Sequence, residues 1–186
     1  MAISILLSQP LPLTPTQLLW INMVSAITIQ LAFIFEPAEP CLMRNPPRQA
    51  DARLMNRSDA LQMTMVSVLI AGMALVIFEV MQRQGISFAV ASTMAVNIII
   101  FGKIFYLFNI RTSAFAFAKK VLFSNPMAYV AIGLMFALQL VLTYVPFMND
   151  IFSTAGLTLQ QWVLVILAGL PVIVWAELNK WYLKHK

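Results

Sequence analysis

Along the chain, apolar blocks of about 20 residues alternate with shorter polar stretches that carry most of the prolines and charges. An apolar helix of that length matches the hydrocarbon core of a bilayer. Strands with alternating polar positions, the mark of a membrane β-barrel, do not occur in the pattern. It predicts an all-α, polytopic transmembrane helix bundle with five full spans, at about 15–35, 60–81, 87–108, 126–147 and 159–182. Met1 to Leu7 adds an apolar N-terminal half-span, which reads as the last turns of a helix whose beginning is missing. It lacks the basic start and the small-residue cleavage site of a signal peptide.

Capping residues mark the ends. Thr14, Pro15 and Gln17 have the spacing of a cap, a first helical position and a capping box, and Pro37 stops the first span. Ser58 or Asp59 caps the second, and a tight turn at Gln82 to Gly85 leads into the third. Asn125 before Pro126 opens the fourth, Met148 to Thr158 reads as a loop, and Thr158 with Gln161 forms a second capping box.

Composition agrees with this reading. With 61% apolar and 10% charged residues among 186, an ordinary soluble domain is excluded. The net charge of +5 is not a nucleic-acid signature, because it follows the topology. Arg44, Arg48, Arg53, Arg57, Arg111, Lys119, Lys120, Lys180, Lys184 and Lys186 fall on one side, and Arg83 is alone on the other. The positive-inside rule then places loop 36–58 and the C-terminus in the cytoplasm, in a multi-pass protein of the cell membrane. Trp20, Trp162, Trp175 and Trp181 lie near span ends, where interfacial anchors are expected. Cys41 is the single cysteine, so no internal disulfide is possible, and no glycine-rich phosphate cradle is encoded. Twelve methionines without a copper-binding spacing read as core filler, and His185 as solvated.

Polar groups inside the spans are costly, so each asks for a reason. Asn22 and Ser25 are three residues apart and share a helix face. An amide oxygen and a hydroxyl at that spacing can offer two ligands to a hard cation; equally, they can make interhelical hydrogen bonds. Lys103 lies within the third span, eight residues before Arg111 and so roughly 12 Å from it along a helix. Its ammonium suits a tethered charge or a proton-linked group, or it can snorkel to the interface. Asn97, Gln139 and Tyr144 read as packing or interfacial residues. Glu79 and Arg83 have the spacing of a local ion pair.

The run QLLWINMVS followed by FEPAEPCLMRNPPR resembles the sixth transmembrane helix and following cytoplasmic loop of P-type cation-transporting ATPases of the calcium-pump and sodium-pump type. Gln17, Leu18, Leu19, Trp20, Asn22 and Val24 match that family's pattern, as do Phe35, Pro37, Leu42, Met43, Pro46, Pro47 and Arg48. Thr93, Met94, Ala95, Phe108 and Asn109 are similar to its eighth helix, and Leu157 to Trp162, Leu170 to Ile173 and Glu177 to its tenth. The whole chain, 1–186, thus resembles the C-terminal transmembrane domain of such a pump, from the end of the fifth helix onward.

The resemblance implies a transport-domain portion of an ATP-driven cation translocase. Its partners are the lipid bilayer, the transported cation and the pump's N-terminal domains. The family's DKTGT phosphorylation motif, TGES loop and nucleotide-binding domain lie upstream of the matching region. The chain is therefore expected to be part of a larger enzyme and not to hydrolyse ATP alone. No cofactor is implied in this chain, and Mg-ATP is implied for those other domains. Asn22 and Ser25 match residues of the family's transport site, and Lys103 lies about where its eighth helix places an acidic or amide ligand. Pro46, Pro47 and Arg48 correspond to a loop supporting the phosphorylation domain. Ala26 stands where the calcium and sodium pumps carry an aspartate, and Ile27 and Ile29 replace the glycine and proline that unwind that helix. The alternative is a free-standing membrane scaffold or regulatory subunit derived from a pump tail.

Overall fold

The computed structural model describes residues 11–36, 57–110 and 125–184. The N-terminal half-span and the loop motif Pro46, Pro47 and Arg48 lie outside the described residues. Within them there are five long helices, each apolar and long enough to cross a membrane, one short helix and no strand.

Helix α1, Pro15–Ile34, begins with the expected reciprocal cap: the Gln17 amide N–H donates to Thr14 Oγ1, and Thr14 N–H to Gln17 Oε1 at 3.0 Å. Each such cap satisfies backbone donors that the first helical turn leaves orphaned, worth about 1 kcal/mol. Helix α2, Arg57–Arg83, ends in a turn where Gly85 takes φ 77° and the Ile86 N–H returns to the Met81 carbonyl. A side chain would strain that left-handed backbone, so glycine is the residue that lets α3, Phe88–Ile110, fold back beside α2. Among the described residues no ion pair joins Glu79 to Arg83 at this end.

Helix α4, Pro126–Tyr144, starts at Asn125, whose Oδ1 accepts from the Met127 and Ala128 N–H groups. It stops three residues earlier than the hydropathy predicts. Val145 precedes Pro146 and is extended, with ψ 119°, because the proline ring crowds an α conformation there. Pro146 then opens a separate one, α5, Pro146–Phe152, in place of the expected loop. The Leu142 carbonyl accepts Thr154 Oγ1 at 2.8 Å. Helix α6, Leu159–Lys184, carries the second capping box, Thr158 with Gln161, and Pro171 in its interior.

Helix α3 is the axis of the bundle; most of its residues are buried. It packs most extensively on α6 and α2, which also touch each other. Helix α1 packs chiefly on α4, and this pair meets α3 along a narrower seam. Helix α5 lies across the end of the pair, with Phe152 edge-on to the Trp20 ring at 5.1 Å. Trp20 is thereby buried, not held at an open interface.

Candidate functional site

Two of the expected site residues meet. Lys103 on α3 donates from Nζ to Ser25 Oγ on α1 at 2.9 Å. Ser25 is buried, and its hydroxyl proton goes to the carbonyl of Ile21, one turn back. The oxygen is thus oriented as an acceptor toward the ammonium. Thr28, fully buried, does the same one turn on, donating to the Val24 carbonyl at 2.7 Å. Lys103 therefore turns inward to α1.

Asn22 does not join this contact. It lies on the open side of α1 with Ala26 and Gln30, at intervals of four residues, and all three are exposed. Ser25 faces the bundle while Asn22, 60° away around the helix by its three-residue spacing, faces outward. The helix remains continuous through Ala26, Ile27 and Ile29, so its carbonyls stay in the helical ladder. Among the described residues no group of three His, Cys, Asp or Glu could hold a metal ion. The ligands this region offers are neutral oxygens, with one tethered ammonium beside them.

Other polar residues tie the ends of the bundle, and most of them carry no functional reading from their positions along the chain. Gln17 is fully buried; its Oε1 accepts from Ser92 Oγ at 2.7 Å, and its Nε2 donates to the Phe152 carbonyl at 2.9 Å. One side chain thus caps α1 and binds it to α3 and α5. Asn97 donates to the Thr93 carbonyl and to Thr143 Oγ1 on α4 at 3.4 Å. At the opposite end Asn109 accepts from Gln62 and donates to Glu177 Oε1 at 3.3 Å, and its own carbonyl accepts from Lys180. Asn125 Nδ2 reaches the Ala32 carbonyl at 3.0 Å and Glu36 Oε2 at 2.8 Å, fastening α4 to the end of α1. Tyr144 OH donates to the Leu157 carbonyl and accepts from Trp162 Nε1, both at 2.8 Å. The shared signal was present, since each is a polar residue within or beside an apolar run, but its partners were not.

Residues 10–182 match the family described as cation transporting ATPase, C-terminus. The chain is 31% identical over 164 residues to the probable cation-transporting ATPase F of Mycobacterium tuberculosis, covering 88% of this chain and 18% of that protein. It is 30% identical over 181 residues to the cation-transporting ATPase pma1 of Synechocystis, covering 92% and 20%. A calcium-transporting ATPase of Bacillus subtilis is 27% identical over 178 residues, covering 95% and 20%. The chain spans about a fifth of the length of these relatives. With five membrane-length helices and a family match over nearly its whole length, this chain is a multi-pass membrane protein that belongs to the C-terminal transmembrane domain family of the P-type cation-transporting ATPases.

Proposed function

We propose that the chain is the transport-domain portion of an ATP-driven cation pump of the cell membrane. In that translocase, Mg-ATP-dependent phosphorylation outside this chain switches a cation site between the two faces. Asn22 and Ser25 contribute neutral oxygens to the site. The observation that carries the reading is the Lys103–Ser25 contact of 2.9 Å inside the bundle, on the helix whose sequence follows the pump pattern. The exposed stripe of Asn22, Ala26 and Gln30 supports it, because an amide turned toward acyl chains is costly. Helices of the remaining pump cover that stripe and supply the carboxylates that Ala26 does not. Lys103 then acts as a resident positive charge beside the site, lowering the ionic charge it can hold.

Ten basic residues on one side support a cytoplasmic loop 36–58 and C-terminus. Pro46, Pro47 and Arg48 then support the phosphorylation domain or meet anionic headgroups. The test is ATP hydrolysis against ion concentration in the pump that contains this chain. Asn22→Ala and Ser25→Ala should each raise the ion concentration for half-maximal turnover by about tenfold or more, the usual cost of disturbing a metal's immediate surroundings. Unchanged ion dependence in both variants overturns the assignment.

A further inference from the structure

Three buried side chains, one each on α1, α3 and α4, hold polar atoms that no hydrogen bond meets among the described residues. They are Trp20 Nε1, Asn97 Oδ1, and both Oε1 and Nε2 of Gln139. Asn97 and Gln139 are fully buried and Trp20 nearly so. Polar groups left unmet at such depth are rare in native proteins, because each bears the penalty of leaving water with nothing in return. The set is balanced in kind: two nitrogens that donate and two carbonyl oxygens that accept. No two of these atoms bond to each other, so a link between them calls for an intermediary.

The three residues share one depth in the bundle. Helices α1 and α3 run parallel, since Gln17 meets Ser92 and Ser25 meets Lys103. Trp20 falls between Gln17 and Ser25, and Asn97 falls between Ser92 and Lys103, so both stand between the same two rungs. Asn97 Nδ2 reaches Thr143 Oγ1 on α4 at 3.4 Å, and Gln139 lies one helical turn from Thr143 on the same face. Helix α4 runs against α1, since Asn125 at its start meets Ala32 near the end of α1. The second half of α4, with Gln139, therefore returns to the level of the first half of α1, with Trp20. All three helices touch one another. Met94 on α3 and Met135 on α4, both fully buried, lie one turn from Asn97 and from Gln139.

We propose that the junction of Trp20, Asn97 and Gln139 is a binding site for water, built into the fold between α1, α3 and α4. A water molecule can accept two hydrogen bonds and donate two, and buried waters make about three. The junction supplies the Trp20 and Gln139 N–H groups for it to accept from, and the Gln139 and Asn97 carbonyl oxygens for it to donate to. A metal cation fits poorly, because the N–H groups would turn the positive ends of their dipoles on it and none of the three side chains carries a charge. An anion would face the two carbonyl oxygens. A neutral molecule that both donates and accepts meets all four atoms. In the low dielectric of the bundle such bonds are strong, and the same dielectric makes their absence costly. The water completes the polar seam between the Gln17–Ser92 bond and the Ser25–Lys103 bond.

X-ray hydroxyl-radical footprinting of the pump that contains this chain, in its membrane, tests the site. Radiolysis of a held water makes the radical on the spot, and a neighbouring methionine is oxidised to the sulfoxide. Met94 and Met135 lie beside the junction and are closed to radicals from bulk water. Both should be oxidised in the native pump, at a rate that a radical scavenger in the bulk solution does not lower. Gln139→Leu should cut the oxidation of both severalfold and leave unchanged that of Met81, buried on α2 away from the junction. No oxidation at either methionine, oxidation that the scavenger suppresses, or indifference to Gln139→Leu overturns the water site. Oxidation that appears only after alkali and alkaline-earth cations are removed assigns the junction to a cation and overturns it equally. Asn97→Leu, with the same result expected, serves where Gln139→Leu does not fold, and the scavenger comparison needs no variant.

Discussion

Where α3 meets α2 and α6, side chains and backbone close tightly. A Cβ on Gly102 would stand 2.8 Å from Ile70 Cγ1, and one on Gly169 2.6 Å from Phe105 Cε2. Where α3 meets α1 and α4, polar residues at three depths carry the contact: Gln17 with Ser92, Asn97 with Thr143, and Ser25 with Lys103. Small residues bring backbones close, and van der Waals packing of that kind tolerates little displacement. Hydrogen bonds hold that seam by direction instead, because each weakens steeply once its donor and acceptor move out of line.

Three substitutions would sharpen or break that contrast, measured as shifts in thermal unfolding midpoint in mild detergent. The largest expected effect is at the seam. Gln17→Ala leaves Ser92 and the Thr14 and Phe152 backbone groups short of a partner and should cost about 3 kcal/mol, the upper end for unsatisfied buried groups. A neutral result would mean that the seam is held by apolar packing and not by these bonds. Next is Gly169→Ala, expected to cost about 2 kcal/mol by overpacking, since the Phe105 ring has to move bodily. If it is tolerated, the contact at Gly169 is not tightly packed and the contrast fails. Gly102→Ala should cost least, about 1 kcal/mol, because the Ile70 atoms it meets lie on a side chain with rotamers to spare. A larger loss than at Gly169 would show that Ile70 is as fixed as Phe105.

The break at Val145 shows where reading by hydropathy stops. The apolar run continues through Phe147, and that run suggested one span to about residue 147. Pro146 was visible throughout, and its effect on the preceding residue decides the boundary: α4 ends at Tyr144 and a new helix starts at the proline. Asn22 and Ser25 teach a related point. Their spacing puts them on neighbouring parts of one helix face, but 60° of rotation is enough to separate a buried hydroxyl from an exposed amide once α3 and α4 are in place.

By itself the amino-acid sequence determined the number of membrane helices, the capping boxes at Thr14 and Thr158, the turn at Gly85 and the class of protein. These follow from local physics: the hydropathy of 20 or so neighbouring residues and hydrogen bonds reaching three or four positions. Only the tertiary structure decided that Lys103 turns to Ser25, 78 residues away, that Asn125 binds the carbonyl of Ala32, 93 residues away, and that Gln139 stands buried without a partner. In a membrane nearly every residue of a span is apolar, so hydropathy carries little record of which face meets which helix. Register and facing are set by side-chain packing and a few polar contacts between distant segments, and those exist only once the helices are side by side.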